Sequence, residues 1–259
     1  MRKIFNILIW IILIAGIISA VVYFRLIQNE SVCKDVIVNI KRNNSDEPYV
    51  TEDEIYSLIT NSKDSIIGKK INEIDLGKFE DKIKSNPYVS DAEIFSSFGG
   101  NLKVRITQRQ ALMRIINSTG QNFYIATDGI IIPVKTGVSS RVIVANGNIN
   151  IKYSKLHKIF NSENNKEYAV LLKLYKLANY IKSNKFLNAT IEQIYVNKAN
   201  EFELIPKTGK HLIQFGDTNN MKRKFDNLIV FYKNGLKRVG WDKYKVVNLK
   251  YLNQVVCSK

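Results

Sequence analysis

From Ile4 to Phe24 the chain reads "IFNILIWIILIAGIISAVVYF", a run of 21 residues without a charge, bracketed by Arg2-Lys3 and Arg25. At about 1.5 Å rise per residue, a helix of that length crosses the roughly 30 Å hydrocarbon layer of a bilayer. Trp10 and Tyr23 are its aromatic residues, the type that favours the membrane–water interfaces. A cleaved signal peptide is the competing reading, but its apolar part runs to about 7–15 residues before a small-x-small site. Here the run is longer, and the best candidate site, Ile18-Ser19-Ala20, begins with a bulky residue. An uncleaved anchor over residues 4–24 is therefore expected, with no second comparable run after it. Positive charge does not fix its orientation, because Arg25, Lys34, Lys41 and Arg42 beyond the span offset Arg2 and Lys3 before it. The usual arrangement for such an anchor puts residues 1–3 in the cytoplasm. Residues 25–34 are then a juxtamembrane linker, and the folded mass lies on the far side.

That folded mass has enough apolar residues for a core, since 45% of the 259 residues are hydrophobic. The net charge is +16, and setting aside Arg2, Lys3 and Arg25 leaves +13. The excess is mostly Lys spread evenly along the chain, with no block of five basic residues and no basic run interleaved with aromatics. A nucleic-acid groove needs such a run, so no nucleic-acid partner is expected. The two cysteines, Cys33 and Cys257, stand at opposite ends of the folded part. A disulfide between them is open in an oxidising compartment, two separate thiols are favoured, and no C-x-x-C exists for metal or redox work.

Periodicity divides the rest in two. In the first part, Val36–Lys41 alternates as a strand, and the loop "RNNSDEP" leads to Thr51 with Glu54 three residues on, a capping box opening a helix with Ile55, Leu58 and Ile59 on one face. After "IIGKKINEI", a loop with a hydrophobic plug, Asp75 caps a second helix carrying Leu76, Phe79 and Ile83. Asn86-Pro87 ends it, with Asn suited to a left-handed C-cap. Two strands follow, about Tyr88–Phe95 and Leu102–Thr107, joined at "FGGN". The order is β-α-α-β-β over residues 35–108. In the second part, residues 109–259, "NFYIATDGIIIPV" reads as a hairpin about an Asp-Gly turn. "RVIVANG" is a strand, Glu167–Ile181 a helix buried along Val170, Leu174, Leu177 and Ile181, and Asn219–Tyr232 a helix using Met221, Phe225, Leu228 and Tyr232. Strands are expected at Ile191–Asn197, Glu201–Pro206 and His211–Phe215, and the alternating runs "YKVVNLKY" and "NQVVC" close the chain. The fold class is α+β: one transmembrane helix, a β-α-α-β-β domain, then a mixed, largely antiparallel β-domain with two or more helices.

Residues for catalysis are hard to find. The only histidines, His157 and His211, form no H-x-x-x-H or H-E-x-x-H pattern and read as surface or turn residues. There is no G-x-S-x-G elbow, and "IIGKK" lacks the glycine and hydroxyl residue of a phosphate-binding loop. Glu52-Asp53-Glu54 occupies the first turn of a helix, where the positive dipole end favours acids, and Asp128-Gly129 is a turn pair. No catalytic residue, metal site, cofactor or small-molecule substrate is expected, and the chain reads as a non-enzyme.

A β-α-α-β-β module of this size beside a single span resembles a POTRA domain. The stretch "NPYVSDAEIFSSFGGNLKVRITQRQALMRI" is similar to the hairpin signature of FtsQ/DivIB cell-division proteins, through Pro87, Val89, Ala92, Ile94, Phe98, Leu102, Val104, Ile106 and Arg109. "FYIATDGIIIPV" resembles the family's downstream hairpin through Asp128 and Gly129, and "YKVVNLKYLNQVV" its terminal strand pair. The pattern departs at Gln108, where the family has Glu, at Gly99, where it has Pro, at Ala111 or Leu112, near an expected Pro, and at Asn248, where it has Asp.

The resemblance implies a non-enzymatic bitopic protein of the division septum, linking early and late division proteins and regulating septal peptidoglycan synthesis. It places a POTRA domain over 35–108, which meets other division components, and a β-domain over 109–259, with Gln108 and Arg109 at the junction. It also implies FtsB/FtsL-like partners, one of which adds a strand to the terminal edge of the β-domain. By position that edge carries Lys250, Tyr251, Leu252, Asn253, Gln254 and Val255, with Tyr251 as the anchor. Two other classes stand beside this one: a membrane-anchored wall-binding or wall-cleaving protein, and a POTRA-containing envelope assembly or secretion component. The latter calls for further POTRA repeats or a barrel of alternating strands.

Overall fold

The computed structural model describes residues 2–29, 31–41, 48–61, 66–97, 99–153, 158–162 and 166–259. Most of the "RNNSDEP" loop, Phe98 and His157 lie outside the described residues. The first helix, α1 (Arg2–Asn29), is 28 residues long, about 42 Å at the helical rise. Its Asn6–Tyr23 stretch is apolar and long enough to cross a membrane, and none of it is buried against the rest of the chain. Beyond it the chain parts into two compact units, with Gln108 the last residue of one and Arg109 opening the body of the other.

In the first unit the order is β1 (Asp35–Lys41), α2 (Glu52–Thr60), α3 (Leu76–Lys84), β2 (Val89–Ser96) and β3 (Asn101–Gln108). The capping box closes at α2: Thr51 accepts from the Glu54 N–H while Glu54 accepts from the Thr51 N–H. Asp75 accepts from the Lys78 N–H at the start of α3. The plug is there as well, with Ile66, Ile71 and Ile74 buried around a short 3₁₀ turn at Ile71–Glu73. The sheet order is β1-β3-β2, with β1 parallel and β2 antiparallel to the central β3. Alternation puts Val36 and Ile40, Leu102, Val104 and Ile106, and Ala92 and Ile94 inward, where they meet Ile55, Ile59, Phe79 and Ile83 of the helices.

The end of α3 differs from expectation. Ser85, in ordinary right-handed geometry, is its C-cap, and Asn86 takes no left-handed conformation. Its side chain instead accepts from the Tyr88 N–H at 3.0 Å, an Asx turn that redirects the chain into β2 without positive φ.

The second unit is one nine-stranded sheet backed by helices. Its strands are β4 (Ala111–Ile116), β5 (Asn122–Ala126), β6 (Ile131–Pro133), β7 (Ile143–Gly147), β8 (Ile191–Val196), β9 (Phe202–Pro206), β10 (Leu212–Gly216), β11 (Val246–Asn248) and β12 (Val256–Ser258). They lie in the order β12-β11-β10-β9-β8-β7-β4-β5-β6. The pairs β4–β7, β7–β8 and β10–β11 are parallel and the others antiparallel. The helices are α4 (Lys166–Ser183), α5 (Lys185–Thr190) and α6 (Met221–Val230), which widens into a π-helical turn over Phe231–Leu236. The core joins Leu171, Leu174, Leu177 and Ile181 of α4, Leu187 of α5, and Phe225, Leu228 and Tyr232 to Ile115, Phe123, Ala145, Ile194, Phe202, Leu204, Ile213 and Val247 of the sheet. Strand β4 and helix α5 were not apparent from periodicity. In β4 Ala111, Leu112 and Met113 are buried in succession, which erases the alternation, and α5 is held by its N-cap Asn184, whose side chain accepts from Phe186 and Leu187 N–H.

A sheet edge held open beside a pinned turn

The nine-stranded sheet has two ends, and they are built differently. At the β6 end Ile131 and Ile132 are fully buried, and the segment around Phe160 packs against the Asp128-Gly129 turn. The Ile159 N–H donates to Gly129 O at 3.0 Å, and a lone bridge joins Ile130 to Lys158. Gly129 sits at φ +76°, and a Cβ there would lie 2.5 Å from the Phe160 ring, so only glycine fits.

At the other end β12 is a three-residue strand paired on one side only, with Val247↔Cys257 at the centre of its register. No strand among the described residues pairs with its outer side. Val256 is 40% exposed and Ser258 is exposed, leaving backbone donors and acceptors open to a further strand. The six residues expected on this terminal edge lie just before it. Lys250, Tyr251, Leu252, Asn253, Gln254 and Val255 form the connection between β11 and β12, not the strand. The cause is local: the Asn248 side chain accepts from the Lys250 N–H at 2.9 Å, turning the chain before an extended run can continue.

Within this connection the side chains divide. Tyr251 and Leu252 are 53% and 37% exposed. Lys250 reaches Glu201, in the β8–β9 turn, with Nζ 2.5 Å from Oε2. That hydrogen bond is the first cause holding the Glu201 carboxyl below the usual carboxylate range. Asn253 accepts from Arg223 at 2.6 Å, and the Leu252 carbonyl accepts from Asn227 at 3.1 Å.

An open edge strand of this form presents unpaired backbone donors and acceptors. The sequence model of the family described as FtsQ/DivIB, C-terminal related, matches residues 110–258, more than half of the chain. The chain belongs to this family. A POTRA-like domain matches residues 31–107. Among curated proteins none matches the chain. FtsQ/DivIB-type domains are those of non-enzymatic cell-division scaffolds, which act through protein–protein contacts.

In this FtsQ/DivIB-related chain each of the two junction residues is bonded within its own unit. Gln108, buried as the last residue of β3, accepts from the Tyr49 N–H at 2.9 Å inside the POTRA-like unit, where Tyr49 stacks on Tyr88. Arg109, also buried, donates through Nε to Asp128 Oδ2 at 2.9 Å inside the second unit. Asp128 therefore serves a turn and a buried guanidinium together, a role its Asp-Gly context alone did not reveal.

Other titratable groups are buried in the packing. His211 is buried, not at the surface as its turn position suggests, and its Nε2 lies 2.5 Å from the Tyr232 hydroxyl. Burial pushes its pKa down and that of Tyr232 up. Lys224, buried on α6, is held by the Asp217 carbonyl and carboxylate at 2.9 and 2.8 Å and lies over the Phe215 ring. Cys33 and Cys257 are free thiols, both shifted up chiefly by burial. No cluster of potential metal ligands occurs among the described residues.

Proposed function

We propose that the protein is a bitopic scaffold of the division machinery, anchored by α1 with its N-terminus in the cytoplasm, and that the β12 edge receives a strand from an FtsB/FtsL-like partner. The single observation that carries this reading is the unpaired outer side of β12, next to the exposed Tyr251-Leu252 pair. A partner strand satisfies the open N–H and C=O groups, while a large aromatic with a polar tip supplies the anchor that a short edge alone lacks. The POTRA-like unit is then free to meet other division components. Through these contacts the scaffold joins early and late division proteins at the septum and regulates septal peptidoglycan synthesis.

The test is co-purification from membranes with a tagged FtsB/FtsL-like pair. Tyr251→Ala is expected to weaken capture by about tenfold or more, the range of an aromatic anchor at an interface centre. Truncation after Lys245, which removes β11 and β12, abolishes it while the POTRA-like unit stays folded. Full capture by a folded truncated chain excludes this edge.

A further inference from the structure

The connection between β11 and β12 is seven residues long, mostly exposed, and carries no regular hydrogen-bonded structure of its own. Such a segment is ordinarily mobile on fast timescales. Here three side chains from elsewhere in the unit fasten it. Arg223 and Asn227 lie four residues apart on α6, hence on one face, and reach consecutive residues of the turn: Arg223 the Asn253 side chain, Asn227 the Leu252 carbonyl. Glu201, in the β8–β9 turn, takes the Lys250 ammonium. The Lys250 stem lies across Gly216, at φ +75°, where a Cβ would come within 3.1 Å of its Cγ, so β10 leaves room for this crossing. None of the three anchoring groups is needed by the core: Arg223 is exposed, Asn227 half-buried, and Glu201 sits in a turn. Their placement fixes the chain on both sides of Tyr251 and leaves Tyr251 itself 53% exposed.

We infer that Arg223, Asn227 and Glu201 are positioning residues for partner docking, holding the 249–255 turn so that Tyr251, Leu252 and the β12 edge are presented in their bound arrangement before the partner arrives. The inference rests on the docking reading above. Pre-organisation matters here because a three-residue edge offers few backbone hydrogen bonds, so ordering a loose turn at the moment of binding would consume much of the gain. If loss of the clamp lowers the population of the presented turn to about a tenth, apparent affinity falls about tenfold.

The experiment uses the full chain in detergent micelles, with amide hydrogen exchange read over residues 249–258 and affinity read against the tagged FtsB/FtsL-like pair. The Arg223→Ala/Asn227→Ala double variant is expected to speed exchange in that window alone and to weaken binding about tenfold. Lys222→Ala, which removes a neighbouring cation whose partner is Asp226 on the same helix, leaves both unchanged. In a Tyr251→Ala background the double variant costs the same factor as in the wild type, because the population of the presented turn multiplies the affinity of either form. Unchanged exchange overturns the clamp. Faster exchange with full affinity overturns its role in docking, and so does a cost that differs strongly between the two backgrounds, since a population effect is common to both. If Tyr251→Ala by itself leaves affinity intact, the docking reading fails whatever the exchange shows, and the two failures are told apart.

Discussion

The β6 and β12 ends of the large sheet face the same problem, a strand with no neighbour on one side, and solve it in opposite ways. At β6 the strand is short but Ile131 and Ile132 are fully buried, its turn is roofed by Phe160, and Asp128 is tied to Arg109. At β12 the strand is equally short, its side chains are half-buried or exposed, and order comes from polar ties to the turn before it. One end is closed by apolar burial, the other is kept open by hydrogen bonds. Burial removes an edge from use, whereas polar pinning preserves its shape and leaves it free to pair.

The largest expected effect separates the two ends by stability. Phe123→Ala, on β5 in the core, is expected to destabilise the protein by about 3–5 kcal/mol, while Val256→Ala at the open edge changes it by less than about 0.5 kcal/mol. Denaturant midpoints of the two variants check this, and similar losses would erase the distinction. Gly129→Ala comes next, at about 1–3 kcal/mol, from positive φ and the clash with Phe160. A midpoint within error of wild type would mean the β6 roof is loose. The smallest effect concerns acid. Burial lowers the folded pKa of His211 below its ordinary 6.5. The unfolded chain then binds more protons, so His211's contribution is fully present above that value and is lost as pH falls below it, by at most about 1.4 kcal/mol per pH unit. Because Leu212 N–H, next to His211, donates to Lys245 O just before β11, amide protection factors, corrected for intrinsic exchange, should fall in β10–β12 before β4–β6 as pH drops from about 7.5 to about 5.5. His211→Leu should flatten that response, and uniform loosening of both ends would contradict it.

Much of the fold was readable because local chemistry and tertiary structure agree there. The Thr51–Glu54 box, the Asp75 cap and the alternation of Leu102, Val104 and Ile106 each specify their own element. Failures occurred where a neighbour decides. Asn248 looks like one more residue of an alternating run until its side chain takes the Lys250 N–H and ends the strand. That single bond moved six expected edge residues into a turn. The clamp was invisible for a related reason: Arg223 and Asn227 read as the solvated face of an amphipathic helix, and only the fold brings residues 25 and 30 positions away to meet them.

The parallel pairing of β10 with β11 has a consequence in time. Parallel neighbours need a crossover, here the passage through α6 and its π-helical turn, so β11 joins the sheet only after that passage has packed. On the ribosome, β4–β9 and the POTRA-like unit can assemble while the last strands are still being made. A chain stopped before β11 could therefore hold the earlier strands of its sheet and still lack the open β12 edge.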